Sequence, residues 1–262
     1  MSADAPRTVE KEIPYFMSET LLTDKTVLLT GATGGIGSAT ALTLAKLGAK
    51  LVLSGRNETK LSALAAELLY AADCDAVTVA ADLTDPAQVS ALLNTATQTF
   101  GSPPDIVVNA AGVGAIKSVE ALTPDDFQTL LSTNLLAAMY LSQAAVRSMA
   151  ARKSGHILHV VGILGKAPMA NATAYCASKY GLTGFLSALR AEVSRRYNIK
   201  VTGLYLGGVD TPFYDNPAVE MKVQRDKMLT ATDAASAIVY ALSQPAHLVL
   251  GELTLQPESH QL

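Results

Sequence analysis

The sequence predicts one α/β domain: a single doubly wound, parallel seven-stranded sheet with helices on both faces. Three observations carry that expectation. Short apolar runs alternate with longer segments of helical period along most of the chain. A glycine-rich turn, Thr30-Gly-Ala-Thr-Gly-Gly-Ile-Gly37, separates the first apolar run from the first helical segment. No linker rich in Pro, Gly or Ser sets off a second unit, and 262 residues suit one such domain.

Taken in order, Thr26–Thr30 reads as the first strand. A helix over 35–47 puts Ile36, Ala39, Leu42, Ala45 and Leu47 near one stripe. Residues 51–54 form the second strand. The helix over 58–70 spaces Leu61, Leu64, Ala65 and Leu68 for a buried face. Residues 76–81 are the third strand. The next helix spans 85–100, with Pro86 in the first turn, where its missing N–H costs nothing. Residues 105–109 are the fourth strand, followed by two helical stretches over 124–131 and 134–152. The fifth strand covers 156–161, the long helix 173–197 and the sixth strand 200–206. An irregular polar segment over 212–229, a helix over 232–243 and a last strand over 252–255 complete the series.

Composition narrows the function. Apolar residues make up 49% and charged ones 16%, enough for a sizeable buried core. The net charge is −3 and no basic run occurs, which argues against a nucleic-acid partner. No apolar run is long enough to span a bilayer, so no membrane role is expected. The two cysteines, Cys74 and Cys176, do not make a disulfide framework, and a reducing, cytoplasmic setting follows. No metal-ligand spacing surrounds them or the four histidines, so no metal is expected. Residues 1–20 read as a loosely held N-terminal extension before the domain at 21–262; Met17 within it is a candidate alternative start.

Two motifs carry chemistry. Gly31, Gly35 and Gly37 follow a T-G-x-x-x-G-x-G spacing between strand and helix. Such a turn offers backbone N–H groups and a helix N-terminus to a pyrophosphate. Alone it is a weak signal, because turns use glycine anyway. Tyr175 and Lys179 lie four apart in Tyr175-Cys-Ala-Ser-Lys179, on one face of a helix. An ammonium beside a phenol favours phenolate, so the Tyr175 pKa is expected to fall.

With these motifs in this order, the chain resembles the short-chain dehydrogenase/reductase family, of the single-domain Rossmann type. The resemblance runs from about Lys25 to the C-terminus. Further pieces support it: Asp82-Leu83, Asn109-Ala-Ala-Gly112, Asn134 and Gly207-Gly-Val-Asp-Thr211. It implies cofactor contacts from the glycine turn, including Thr33 and Ile36. It also implies contacts from Asp82 and Leu83 at the adenine, and from Asn109 and Gly112 on the adenine side. Thr211 would meet the carboxamide, and Val209, which keeps the spacing, would contact the cofactor as well. It implies a carbonyl or alcohol substrate, with Tyr175 as acid/base. Lys179 would hold the nicotinamide ribose and Asn134 a water beside it.

An acid ending the second strand would select NAD, whereas a nearby arginine accommodates the 2′-phosphate of NADP. Here Gly55 holds the acid position and Arg56 follows, which points to NADP (NADPH). The family's serine, thirteen residues before the tyrosine, is replaced by Gly162. Losing one donor to a developing oxyanion costs roughly 3–4 kcal/mol. Three readings follow: the substrate fills the gap, a neighbour such as Thr173 or Asn171 substitutes, or the protein is a weak catalyst that binds NADP for sensing or assembly. Leu206 replaces a frequent proline and implies a less rigid turn after the sixth strand.

The segment over 212–229 is expected to cover the nicotinamide. Phe213 and its apolar neighbours would line a substrate pocket, or pack under the lid or on another subunit. Arg225 would bind a substrate carboxylate or simply lie on a charged surface. The C-terminal segment is similar to members acting on small 3-hydroxy acids and related alcohols. The apolar helices over 134–152 and 173–197 would pair subunits, as in the family's homodimers and homotetramers.

Overall fold

The structure, a computed structural model, describes residues 22–259. The expected extension at 1–20 lies outside the described residues. Seven parallel strands form one sheet: β1 Thr26–Thr30, β2 Lys50–Gly55, β3 Val77–Ala80, β4 Ile106–Asn109, β5 Gly155–Val160, β6 Ile199–Leu206 and β7 Glu252–Leu255. Their order is β3-β2-β1-β4-β5-β6-β7. Seven helices accompany them: α1 Gly35–Lys46, α2 Glu58–Ala72, α3 Pro86–Phe100, α4 Pro124–Leu131, α5 Ala137–Met149, α6 Thr173–Tyr197 and α7 Ala231–Leu242.

Strand alternation builds two cores. Val27 and Leu29 point to the face covered by α1, α2 and α7, where they meet Leu44, Leu61 and Ile238. Leu28 points to the other face and joins Leu92, Leu141 and Leu186 of α3, α5 and α6. Because helices cover both faces, the strands read as continuous apolar runs rather than alternating ones. All three β1 residues are fully buried. Each such burial contributes about 1.5–3 kcal/mol.

The strand order reverses between β1 and β4, so a crevice opens beyond their C-terminal ends. Thr30 and Asn109 are in register there. The Thr30 hydroxyl donates to Asn109 Oδ1 at 2.8 Å. Asn109 Nδ2 donates to His159 Nδ1 at 3.1 Å, and His159 Nε2 donates to Ser142 Oγ at 2.9 Å. Ser142 passes its own proton to Ala138 O at 2.8 Å. This order requires the neutral Nε2–H tautomer of His159. Burial, helped by the Lys179 charge, holds that imidazole down to about 3. The chain thus ties β1, β4, β5 and α5 together beneath the crevice.

One element differs from its sequence reading. The expected break between residues 131 and 134 is a π-helical turn, Ser132–Leu136, that joins α4 to α5. Such wide turns insert a residue and redirect side chains. Asn134 is turned inward and is almost fully buried. The turn after β6 is also held more firmly than its missing proline implied. Gly207 N–H donates to Leu255 O at 2.9 Å, Leu229 N–H to Gly208 O at 2.9 Å and Asp210 N–H to Leu229 O at 2.8 Å.

Candidate active site

Two adjoining cavities occupy the crevice. The larger, of 340 Å³, runs from the glycine turn to the segment after β6. The smaller, of 230 Å³, lies at the ends of β2 and β3. Thr33, Gly34, Ala110, Ala111 and Gly112 border both, so the two form one elongated groove.

The glycine turn shapes the middle of the groove. Gly31 has φ +67°, and a β-carbon there would collide with Ala111 N and lie 2.7 Å from Ala111 Cα. Only glycine lets β1 turn so close to the loop after β4. The N-cap of α1 is Gly34, with no side-chain cap, and it faces both cavities. The first N–H groups of α1 are therefore left for an anion. Gly35, Ile36 and Gly37 line the larger cavity and Gly31 the smaller.

The smaller cavity gathers Arg56, Asp82 and Leu83. Asp82 accepts from Thr84 N–H at 2.9 Å and from the Thr84 hydroxyl at 2.8 Å. These bonds, with a smaller pull from Arg56, hold its carboxyl below the usual range. Ser54 Oγ borders the same space, buried and without a partner. Asn109 is buried and borders neither cavity; its side chain is committed to Thr30, Ala111 N–H and His159, which steadies the sheet beneath the crevice.

In the larger cavity, α6 presents Tyr175 and Lys179 together. Lys179 Nζ stands 5.6 Å from the Tyr175 ring centre. Lys179 is 4% exposed, and no carboxylate pairs with it among the described residues. Burial alone pulls its ammonium from 10.5 down to about 8. The Tyr175 phenol is pushed up by burial, with smaller contributions from Tyr214 and Cys176. That reverses the expected fall: desolvation outweighs the ammonium nearby.

Asn134 supports this pair from below. Its Nδ2 donates to Val113 O at 3.0 Å and to Ser178 Oγ at 3.1 Å, and its Oδ1 accepts from Val113 N–H at 2.9 Å. A β-carbon on Gly112 would lie 3.3 Å from Asn134 Oδ1 and 3.6 Å from Lys179 Nζ, so the amide and the ammonium face the same small space.

Val209, Thr211 and Phe213 line the far end of the cavity. Gly162 lies opposite Tyr175, with φ +91°. Thr173 is a correction. It is exposed in the first turn of α6 and lines neither cavity, so it supplies no substitute for a serine. Asn171 is exposed as well and lines neither cavity. Arg225 is engaged elsewhere, donating to Asp210 Oδ1 at 2.9 Å and to Asp215. Sequence reasoning missed Lys60, Ile116, Leu164 and Met169, which also border this cavity. Lys60 had a signal, lying four residues after Arg56 at the start of a helix; the other three had none.

The short chain dehydrogenase family model matches residues 25–220, and the chain belongs to that family of oxidoreductases. An uncharacterized oxidoreductase of Staphylococcus aureus strain N315 is 35% identical over 240 residues, covering 91% of this chain and 99% of that one. A Staphylococcus epidermidis counterpart is 32% identical over 234 residues, 89% of this chain and 97% of its own. Among solved structures, a metagenomic short-chain oxidoreductase in complex with NADP is 28% identical. It superposes with a TM-score of 0.77 over 90% of this chain and 98% of that one. An actinorhodin polyketide ketoreductase with NADPH is 25% identical, with a TM-score of 0.79 over 88% and 95%.

Proposed function

We propose that this protein is an NADP(H)-dependent oxidoreductase that interconverts a carbonyl and an alcohol, with Tyr175 as acid/base. The observation that carries this reading is the joint placement of Tyr175 and Lys179 on the wall of a groove that continues past an uncapped helix N-terminus to Arg56. The α1 N-terminus fits a pyrophosphate, and the Arg56 guanidinium fits a 2′-phosphate. Gly55, where an acid would favour NAD, carries no charge. The bound NADP and NADPH of two structural neighbours support the same cofactor.

NADPH, held by the α1 N-terminus, Arg56 and Lys179, would supply the hydride to the substrate's carbonyl carbon. The Tyr175 hydroxyl gives its proton to the carbonyl oxygen, and solvent restores the proton through the space shared by Lys179 and Asn134. Lys179, nearly buried and with no carboxylate partner among the described residues, would bind the ribose hydroxyls. Alcohol oxidation runs the same steps backwards. Exposed Phe127, Leu131, Leu136 and Tyr180 on α4, the π turn and α6 support self-association through this side of the molecule.

Gly162 favours a second reading, a catalytically weak NADP(H)-binding protein with a sensing or assembly role. A panel of carbonyl compounds followed by NADPH absorbance separates the two. Turnover supports the enzyme; tight NADPH binding with no turnover on any compound supports the sensor.

A further inference from the structure

The wall facing Tyr175 is apolar. Ile116, Ile163, Leu164, Met169, Phe213 and Met221 line the cavity there and belong to one cluster. The lid is bonded over them. Ile116 N–H donates to Ala218 O at 2.7 Å, Glu220 N–H to Ile116 O at 2.8 Å, and Asn216 Nδ2 to Gly114 O at 3.2 Å. Phe213 lies 6.0 Å from the Tyr175 ring, centre to centre.

Charge is almost absent from this wall. Among the described residues, Lys60, Tyr175, Lys179 and Tyr214 are the ionisable ones lining the cavity. Lys60 belongs to α2, beside the glycine turn, and Lys179 serves the cofactor side. No carboxylate or guanidinium of the described residues borders the space. The lid's Arg225 is held by Asp210 and Asp215, and Lys117, next to Ile116, by Asp126 at 2.9 Å. A substrate carboxylate would lose its hydration here and meet no cation of the described residues outside the cofactor side. Beside Tyr175, Gly162 leaves open floor: a β-carbon there would touch nothing closer than 3.9 Å. Met169 and Met221, unbranched and polarizable, can adapt to ligands of different shape.

We propose that the substrate is an uncharged, largely apolar ketone or secondary alcohol, its apolar substituent packed on Leu164, Met169, Phe213 and Met221 and its oxygen at Tyr175. This deepens the oxidoreductase reading and rests on it. Of the small 3-hydroxy acids and related alcohols that the C-terminal segment's similarity implied, it keeps the alcohols and drops the acids.

The test uses the full chain with NADPH and three probes: ethyl acetoacetate, acetoacetate and benzylacetone. The first two share a reacting skeleton and differ in charge. NADPH oxidation gives kcat/KM. Unfolding temperatures of the Tyr175→Phe protein with NADPH report binding without turnover. The expected result is kcat/KM about 100-fold higher for the ester and benzylacetone than for acetoacetate. The same two should raise the unfolding temperature, and Met221→Lys should narrow the charge preference about tenfold. Equal or better use of acetoacetate overturns the substrate class and leaves the oxidoreductase reading standing. NADPH binding with no response to either neutral ketone also overturns the substrate class, and turnover of any other carbonyl compound then decides between the enzyme and the sensor. A protein that binds no NADPH overturns both.

Discussion

A β-carbon built on Gly162 would stand 3.9 Å from the Tyr175 hydroxyl, yet the Gly162 backbone has φ 91° and ψ 155°. The space beside the acid/base is free; the backbone conformation is one that glycine almost alone adopts. The chain has therefore not merely lost a serine side chain. Its backbone has settled where a serine is strained.

Gly162→Ser and Gly162→Ala share that strain and differ by one hydroxyl. Each is expected to lose about 1–3 kcal/mol of stability, measured by denaturant unfolding. On small ketones the serine variant should exceed the alanine variant in kcat by about 100- to 1,000-fold, the worth of one donor to a developing oxyanion. Equal rates would mean that position 162 does not reach the substrate oxygen.

The Lys179 ammonium costs the cofactor-free fold stability. Its folded pKa of about 8 lies below the ordinary 10.5, so the unfolded chain binds the proton more tightly. At about 1.4 kcal/mol per unit, the cost approaches about 3 kcal/mol at neutral pH. Lys179→Met is expected to stabilise the cofactor-free protein by about 1–3 kcal/mol while removing turnover. The gain is complete below about pH 8 and shrinks as pH rises toward 10.5. Unfolding curves at neutral and alkaline pH read this directly, and a destabilised variant at neutral pH contradicts it.

Acid should destabilise the fold early. His156 donates to Thr202 Oγ1 at 2.8 Å, and both His156 and His159 are held down to about 3 from 6.5 by burial. Below pH 6.5 the unfolded chain takes up protons that the folded one refuses, so stability falls as pH falls from there toward 3. With both histidines contributing, the slope approaches about 2.7 kcal/mol per pH unit. Flat stability between pH 6 and 4 would show that these imidazoles accept protons in place.

Tyr175→Phe should abolish turnover and spare cofactor affinity. Burial raises the phenol pKa, which keeps Tyr175 protonated at neutral pH as the proton donor for reduction. Steady-state rates and NADPH fluorescence titration on the same preparation check both halves; unchanged turnover removes Tyr175 from the chemistry.

The order of strands and helices was legible because both sheet faces are covered, which leaves long apolar runs such as Val27–Leu29 between helix-period segments. The glycine turn and the Tyr175/Lys179 pair stood out by spacing, and their order with the other motifs carried the family resemblance. The π turn at Asn134 was not, since one inserted residue leaves helical periodicity nearly intact. The direction of the Tyr175 shift was misread because the sequence displays a neighbouring ammonium and hides desolvation. Thr173 is near Tyr175 in sequence but sits exposed in the first turn of its helix. Gly162 showed its missing side chain in the sequence, but a positive φ has no sequence signature beyond glycine itself.

Titration of NADPH and NADH into the pure protein, followed by nicotinamide fluorescence, tests the central claim most directly. The account predicts NADPH bound at least about tenfold tighter than NADH, with the difference lost in Arg56→Ala, as expected when one charge-assisted phosphate contact is removed. NADH bound as tightly as NADPH, or neither bound, would contradict it.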